Sequence, residues 1–202
     1  MLKIGLTGPS GAGKGTVSSL LARYGIPSVD TDAVYHGLLI PPSACLDELV
    51  ERFGHSILAP DGTLDRRALA ATVFAPGCET KREDLNRITH RHILDRVRDM
   101  CREPEYANAP AVLIDAPVLF ESGFDRECDK TLAVLADRAT RLTRIMERDG
   151  LDEAAARMRL DAQPDDEFYI SRADAVICNN GSPADMLTSL LTLLEEWGVT
   201  SP

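Results

Sequence analysis

The sequence predicts a three-layer α/β fold: a parallel five-stranded sheet with helices on both faces. Three observations carry that expectation. Short, β-rich apolar runs recur at Lys3–Thr7, Ile26–Val29, Ala111–Ile114, Thr131–Leu135 and Ala175–Cys178. Helical periodicity fills most of the intervals, and strands that alternate with helices assemble as a parallel sheet covered on both sides. A glycine-rich stretch, Gly8-Pro-Ser-Gly-Ala-Gly13-Lys14-Gly15-Thr16, stands between the first run and a helical pattern from Val17 to Tyr24.

That placement reads as a phosphate-binding loop. A strand feeding a glycine-rich turn into a helix aims successive backbone N–H groups at one spot, and the helix N-terminus adds partial positive charge there. Gly8 and Gly13 allow dihedrals that a side chain would block, and Lys14 reaches the β/γ-phosphates of a nucleotide. Gly11, Ala12, Gly13, Lys14, Gly15 and Thr16 are the expected ATP-binding residues, with Lys14 also catalytic, and the core is expected to be that of a P-loop NTPase. After such a lysine a Ser or Thr hydroxyl usually meets Mg²⁺. Here that position is Gly15 and the hydroxyl follows at Thr16. Lys-Gly-Thr resembles the loop of many nucleoside monophosphate kinases.

The second run leads into Asp30-Thr-Asp32. Ligands of parallel sheets bind at the carboxyl ends of strands. A phosphotransferase needs a group that orients or deprotonates the attacking hydroxyl, and Asp32 is the candidate. The competing reading is an Asx turn or helix N-cap ahead of Ala33-Val34-Tyr35. The interval before Ala111 is too long for a simple crossover. It holds helical stretches at Cys45–Phe53, Leu64–Phe74 and Lys81–Arg102, punctuated by Pro41-Pro42, Pro60-Asp61-Gly62 and Pro76-Gly77. It reads as a helical insertion, about residues 36–107, that binds the second substrate.

The third run ends in Asp115, which fits a carboxylate holding Mg²⁺ through water or a turn-forming Asp. Beyond the fourth run, Arg138, Arg141, Arg144 and Arg148 share one helical face, and Arg157 and Arg159 follow on the next helix. Taken alone this is a solvated, salt-bridged face with Asp137, Glu147, Asp149 and Asp152. Beside a phosphate loop it reads as a lid, about 137–165, with Arg144 set against the transferring phosphoryl. The core is then about 1–35, 108–136 and 172–202, within one domain covering 1–202. His90 and His92, two apart on a helix, do not share a face, so a metal pair is not expected; His90 is a candidate substrate contact. His36, His55 and His92 read on position alone as surface or interface groups.

Composition bounds the partners. The chain has 202 residues, 44% hydrophobic and 27% charged, with net charge −10. That acidity argues against a general nucleic-acid binder but not against a small anion held by local arginines. The five cysteines are scattered without a C-x-x-C pair, as expected for reduced thiols. No stretch resembles a signal peptide and no apolar run approaches a membrane span, so a cytoplasmic protein without a membrane partner is expected, monomeric or weakly homo-oligomeric.

Several stretches together resemble the dephospho-CoA kinase family. They are the loop at Gly8, Gly25-Ile-Pro-Ser-Val-Asp-Thr-Asp32, Asp61-Gly-Thr-Leu-Asp-Arg-Arg-Ala-Leu69 with Phe74, and Leu85-Asn86 with His90 and Ile93. Further along come Ala116-Pro-Val-Leu-Phe-Glu121, Arg144 with Arg148-Asp-Gly-Leu151, Arg159 with Gln163, and Ala173-Asp-Ala-Val-Ile-Cys-Asn179-Asn180-Gly181. Arg91 stands where this family has Pro, Arg141 where Gln is common, and the loop is closer to that of cytidylate kinases. The resemblance implies transfer of the ATP γ-phosphoryl to the ribose 3′-hydroxyl of dephospho-CoA with Mg²⁺. It implies Asn179, Asn180 and Gly181 at the adenine, with Arg144 also on ATP. The acceptor would meet Asp32, His36, Asn86, His90 and Glu121; Thr16, Asp32 and Asp115 would serve the metal, mostly through water. The rival enzyme is a cytidylate-type nucleoside monophosphate kinase, and the rival from another class is a nucleotide-binding regulator without acceptor-stimulated turnover.

Overall fold

The apolar runs become strands. In the computed structural model, which describes residues 1–199, they are β1 (Leu2–Thr7), β2 (Ser28–Asp30), β3 (Ala111–Asp115), β4 (Lys130–Leu135) and β5 (Ala175–Cys178). They form one all-parallel sheet in the order β2-β3-β1-β4-β5. β1 lies centrally, paired with β3 from Leu2↔Ala111 to Leu6↔Asp115 and with β4 from Ile4↔Lys130 to Thr7↔Ala133. β5 joins β4 from Leu132↔Ala175 to Leu135↔Cys178. Asp174 clamps that edge: its carboxylate accepts from Thr131 N and Oγ1 at 2.7 and 2.8 Å, while its own N–H donates to Thr131 Oγ1 at 2.9 Å.

The second strand sits later than its apolar run. Pro27 has no N–H for a ladder, and only its carbonyl is used, accepting from Leu113 N at 2.9 Å. Pairing therefore begins at Ser28 and includes Asp30.

The chain packs as two compact units, residues 1–29 with 103 onward, and residues 30–102. In the first unit, α1 (Lys14–Ala22) and α10 (Pro183–Glu196) cover one sheet face. Val17 and Leu21 of α1 and Met186, Leu190 and Leu194 of α10 close over Ile4, Leu6, Leu113 and Val134. On the other face α9 (Asp166–Ile170) sets Tyr169 against Ala133 and Leu135. The short α6 (Pro104–Ala107) precedes β3. α7 (Arg138–Asp149) and α8 (Glu153–Asp161) form a hairpin around Ile145, Ala156 and Leu160, turned by Gly150 in the left-handed region.

The second unit is helical: α2 (Thr31–Leu38), α3 (Ala44–Phe53), α4 (Arg66–Val73) and α5 (Glu79–Met100), closed over Leu49, Ile57, Val73 and Ile88. Three caps are side chains written into the sequence: Asp30 for α2, Ser43 for α3 and Asp65 for α4. α2 was not among the expected helices. It forms because Asp30 Oδ1 accepts from Asp32 N and Ala33 N at 2.8 and 3.0 Å, and its Tyr35 and Leu38 pack on the helical core. α2 therefore packs as part of the helical unit, whereas α6 belongs to the sheet unit.

Glu48 of α3 is a polar tie to α5. Its Oε2 accepts from His92 Nε2 at 2.9 Å and is paired with Arg91. The His92 hydrogen bond, then the Arg91 charge, hold the Glu48 carboxyl below the usual carboxylate range. A depressed carboxyl contributes stability that is full above its unfolded pKa of about 4.3 and fades as pH falls below it. Glu48→Gln should therefore cost about 1 kcal/mol or less near neutrality, a small shift for a partly exposed, screened pair. In urea denaturation run from pH 7 to pH 3, the gap between wild type and variant should close at the acid end.

Candidate active site

The carboxyl end of β1 runs into a loop whose backbone shape belongs to glycine. Gly13, at φ 105°, is the N-cap of α1 and offers no side-chain cap. A Cβ there would fall on Asn179 Nδ2. No side chain caps the start of α1, whereas the six helices α2, α3, α4, α8, α9 and α10 carry Asp or Ser caps. Lys14 opens α1, and its Nζ donates to Gly8 O at 2.7 Å, folding the ammonium across the loop. Gly15 lies inside the helix, and a Cβ added there meets nothing within 4 Å. Thr16, one residue on, is exposed.

Around this loop the first unit places a ring of donors. Asn179 is buried and its Nδ2 donates to Ala12 O at 2.8 Å. Arg144 of α7 gives Nη1 to Gly11 O and Ala12 O at 3.2 and 3.4 Å, and Nη2 to Asn179 O at 3.1 Å. Asn180 Oδ1 accepts from Asp137 N at 2.8 Å, joining the end of β5 to the start of α7. Arg141 is buried, and burial pulls its guanidinium below the usual arginine range while Asp166, 3.6 Å away, opposes that. Asp115 ends β3 in register with Leu6, beside the strand that feeds the loop. The segment after it is tied there too, since Ala116 N donates to Leu6 O at 3.0 Å and Thr7 Oγ1 to Pro117 O at 3.3 Å. Glu121 is exposed and lies near Tyr169, whose hydroxyl is pushed up to about 12 by burial first and then by that carboxylate.

The other expected residues lie in the helical unit. Asp32 is in the first turn of α2 and exposed; the capping role belongs to Asp30, so Asp32 keeps its carboxylate clear of that bond. His36 Nδ1 meets Arg66 Nη2 at 2.6 Å. Asn86 is exposed on α5, and half-buried His90, a turn later, has its imidazole pulled below the usual range by burial.

Matches to known proteins run the length of the chain. A family model described as dephospho-CoA kinase matches residues 2–185. A dephospho-CoA kinase of Corynebacterium glutamicum is 40% identical over 196 residues, covering 97% of each chain. The chain belongs to the dephospho-CoA kinase family. A dephospho-CoA kinase of Geobacillus kaustophilus is 37% identical, over 97% of this chain and 96% of its own. Among solved structures, one from Thermus thermophilus superposes with a TM-score of 0.79 at 33% identity, covering 96% of this chain and 97% of its own. The dephospho-CoA kinase from Campylobacter jejuni reaches 0.66 at 26%, covering 96% of each. Shikimate kinase from Acinetobacter baumannii, at 0.51 and 18%, shares the fold, a P-loop kinase fold.

In this dephospho-CoA kinase family member the structure brings Gly11, Ala12, Asn179 and Arg144 together by direct bonds, with Lys14 bonded to Gly8 in the same loop and Asn180 one residue further out. Ser10 and Arg148 were missed as loop contacts: Arg148 Nη2 donates to Ser10 Oγ at 3.1 Å. The arginine spacing was the available signal, but it names a face and not the partner that face meets.

The two loop glycines predict opposite behaviour. Gly13→Ala forces a positive φ on a side chain, costing about 1–2 kcal/mol, and displaces Asn179, so ATP affinity should fall tenfold or more. Gly15→Ser has room and ordinary helical φ, and any gained contact contributes at most about 1 kcal/mol, so affinity should stay within about fivefold. Isothermal titration of ATP with both variants checks this.

Proposed function

We propose that this chain transfers the γ-phosphoryl group of ATP to the ribose 3′-hydroxyl of dephospho-CoA, giving coenzyme A and ADP, the last step of coenzyme A synthesis. The observation that carries this reading is the glycine-shaped loop that enters α1 at Gly13 without a side-chain cap, in a chain matched to dephospho-CoA kinases over nearly its whole length.

On this reading the first-turn N–H groups of α1 hold the β-phosphate, and Lys14 leaves the Gly8 carbonyl for the β/γ-oxygens. Phosphoryl transfer rests on positioning, which the loop backbone would supply, and on charge stabilisation, which Lys14 would supply once it exchanges its carbonyl for phosphate. Arg144 trades one of its carbonyl bonds for the transferring phosphoryl; Asn179, Asn180 and Gly181 border the adenine. Asp32 orients the 3′-hydroxyl and accepts its proton, a task that suits an exposed carboxylate not used as a helix cap. His36, Asn86, His90 and Glu121 bind the acceptor, three of them in the helical unit.

The donor set suits Mg²⁺. Asp115 ends β3 beside the strand that feeds the loop and the Thr16 hydroxyl is exposed in the same unit, two hard oxygen donors for an ion that keeps most of its waters. Asp32 would add a third, through water. When bound with ATP, the ion neutralises charge on the phosphate oxygens. The enzyme would work in the cytoplasm, as a monomer or weak homo-oligomer, without nucleic acid or membrane. No helix among the described residues is long and apolar enough to cross a membrane.

Two experiments test the reading. ADP release should be stimulated by dephospho-CoA and not by CMP, UMP or AMP, and should stop when Mg²⁺ is chelated. Preference for CMP would overturn the assignment in favour of a cytidylate-type enzyme. Asp32→Asn should lower kcat by roughly 10²–10⁴-fold while ATP affinity stays near wild type, the range for loss of a general base. Lost ATP binding with intact turnover would make Asp32 structural.

A further inference from the structure

Ser10 lies at the crest of the phosphate loop, and its three polar groups are all held by the 137–165 segment. Its N–H donates to Gln163 Oε1 at 3.0 Å. Its carbonyl accepts from Arg141 Nε at 3.2 Å, and its hydroxyl accepts from Arg148 Nη2 at 3.1 Å. Arg141 Nη2 also donates to Gln163 Oε1, at 3.1 Å, which closes a ring through Ser10 N, Gln163, Arg141 and Ser10 O. The guanidinium at the centre of this ring is only 6% exposed. A Cβ on the next residue, Gly11, would come within 2.7 Å of the Arg141 carbonyl, so α7 bears directly on the loop backbone.

We propose that Arg141, with Gln163 as its partner, is a positioning residue for phosphoryl transfer: the ring fixes both faces of Ser10 and so aims the Gly11–Gly13 backbone at the phosphates. The proposal rests on the reading of this loop as the ATP site. Its physical basis is the freedom of the segment it restrains. Gly11 and Gly13 adopt positive φ and have wide alternatives in a free loop, so their N–H groups converge only if neighbouring residues are pinned. A buried guanidinium in turn must keep its bonds, because an unmet buried charge is costly. Arg141 does not touch the substrate in this arrangement; it acts through Ser10.

The test is steady-state kinetics of Arg141→Met and Gln163→Ala, with Lys14→Ala run beside them. Each ring variant should lose about tenfold to a hundredfold in kcat/KM for ATP, the scale of one or two lost positioning bonds. The dissociation constant for dephospho-CoA, measured without nucleotide, should stay within about twofold. Because either change opens the same ring, the double variant should be little worse than the poorer single. Values of kcat/KM for ATP within twofold of wild type in both variants overturn the proposal. So does a double-variant loss equal to the product of the singles, or an equal loss in dephospho-CoA binding, which marks a merely structural role. Should Arg141→Met not fold, Gln163→Ala decides alone by the same criteria. If Lys14→Ala is as active as wild type, the loop is not the ATP site and the proposal falls with that reading; a crippled Lys14→Ala beside unaffected ring variants refutes the ring alone.

Discussion

A loop that turns its N–H groups toward an anion must turn its carbonyls the other way, and those carbonyls need donors. From Gly8 to Gly13 each is met. Lys14 Nζ takes the carbonyl of Gly8, Ala12 N that of Pro9, and Arg141 Nε that of Ser10. Arg144 takes those of Gly11 and Ala12, Asn179 shares Ala12, and Thr16 N and Val17 N close on Gly13. Apart from Ala12 N in the loop itself, the donors come from α1, α7 and the turn after β5, so the loop holds its shape only when these elements are in place around β1.

That requirement changes the meaning of the arginine-rich face. Its spacing suggested a lid carrying charge to the phosphoryl group, with a solvated salt-bridged face as the alternative. The structure divides that face by residue. Arg138 pairs with Asp161, Arg157 with Glu153 and Arg159 with Asp149, each arginine well exposed. Arg141 and Arg144 turn inward and bond the loop's carbonyls. Arg144 is thereby tied to both the loop and the residue that flanks it, Asn179.

The helical unit obeys a different logic. Three of its helices, α2, α3 and α4, are short and started by an Asp or Ser cap, while the longer α5 has none, and the unit is buried through Leu49, Ile57, Val73 and Ile88. Asp30 and Asp32 show how two similar carboxylates separate in role. Asp30 precedes the helix, where its side chain can fold back to the N–H groups of Asp32 and Ala33. Asp32 is already helical and exposed.

Much of this was legible in the residues alone. The five strands, the phosphate loop and the caps follow from local chemistry: apolar β-rich runs, glycines where φ is positive, and carboxylates or hydroxyls ahead of helices. Pro27, which shortens β2, and Asp30, which starts α2, were equally readable, but two neighbouring aspartates compete for one cap and only packing of Tyr35 and Leu38 reveals the winner. The assignments of Arg141, Arg148 and Gln163 to Ser10 were not readable. Local periodicity states which side chains share a face, while the partner of that face is set by contacts separated by 22 to 153 positions in sequence. The sequence by itself determined the strand–loop–helix cradle and the family; the tertiary structure alone decided which arginines hold the loop and which face water, because burial of a guanidinium depends on what the fold brings to it.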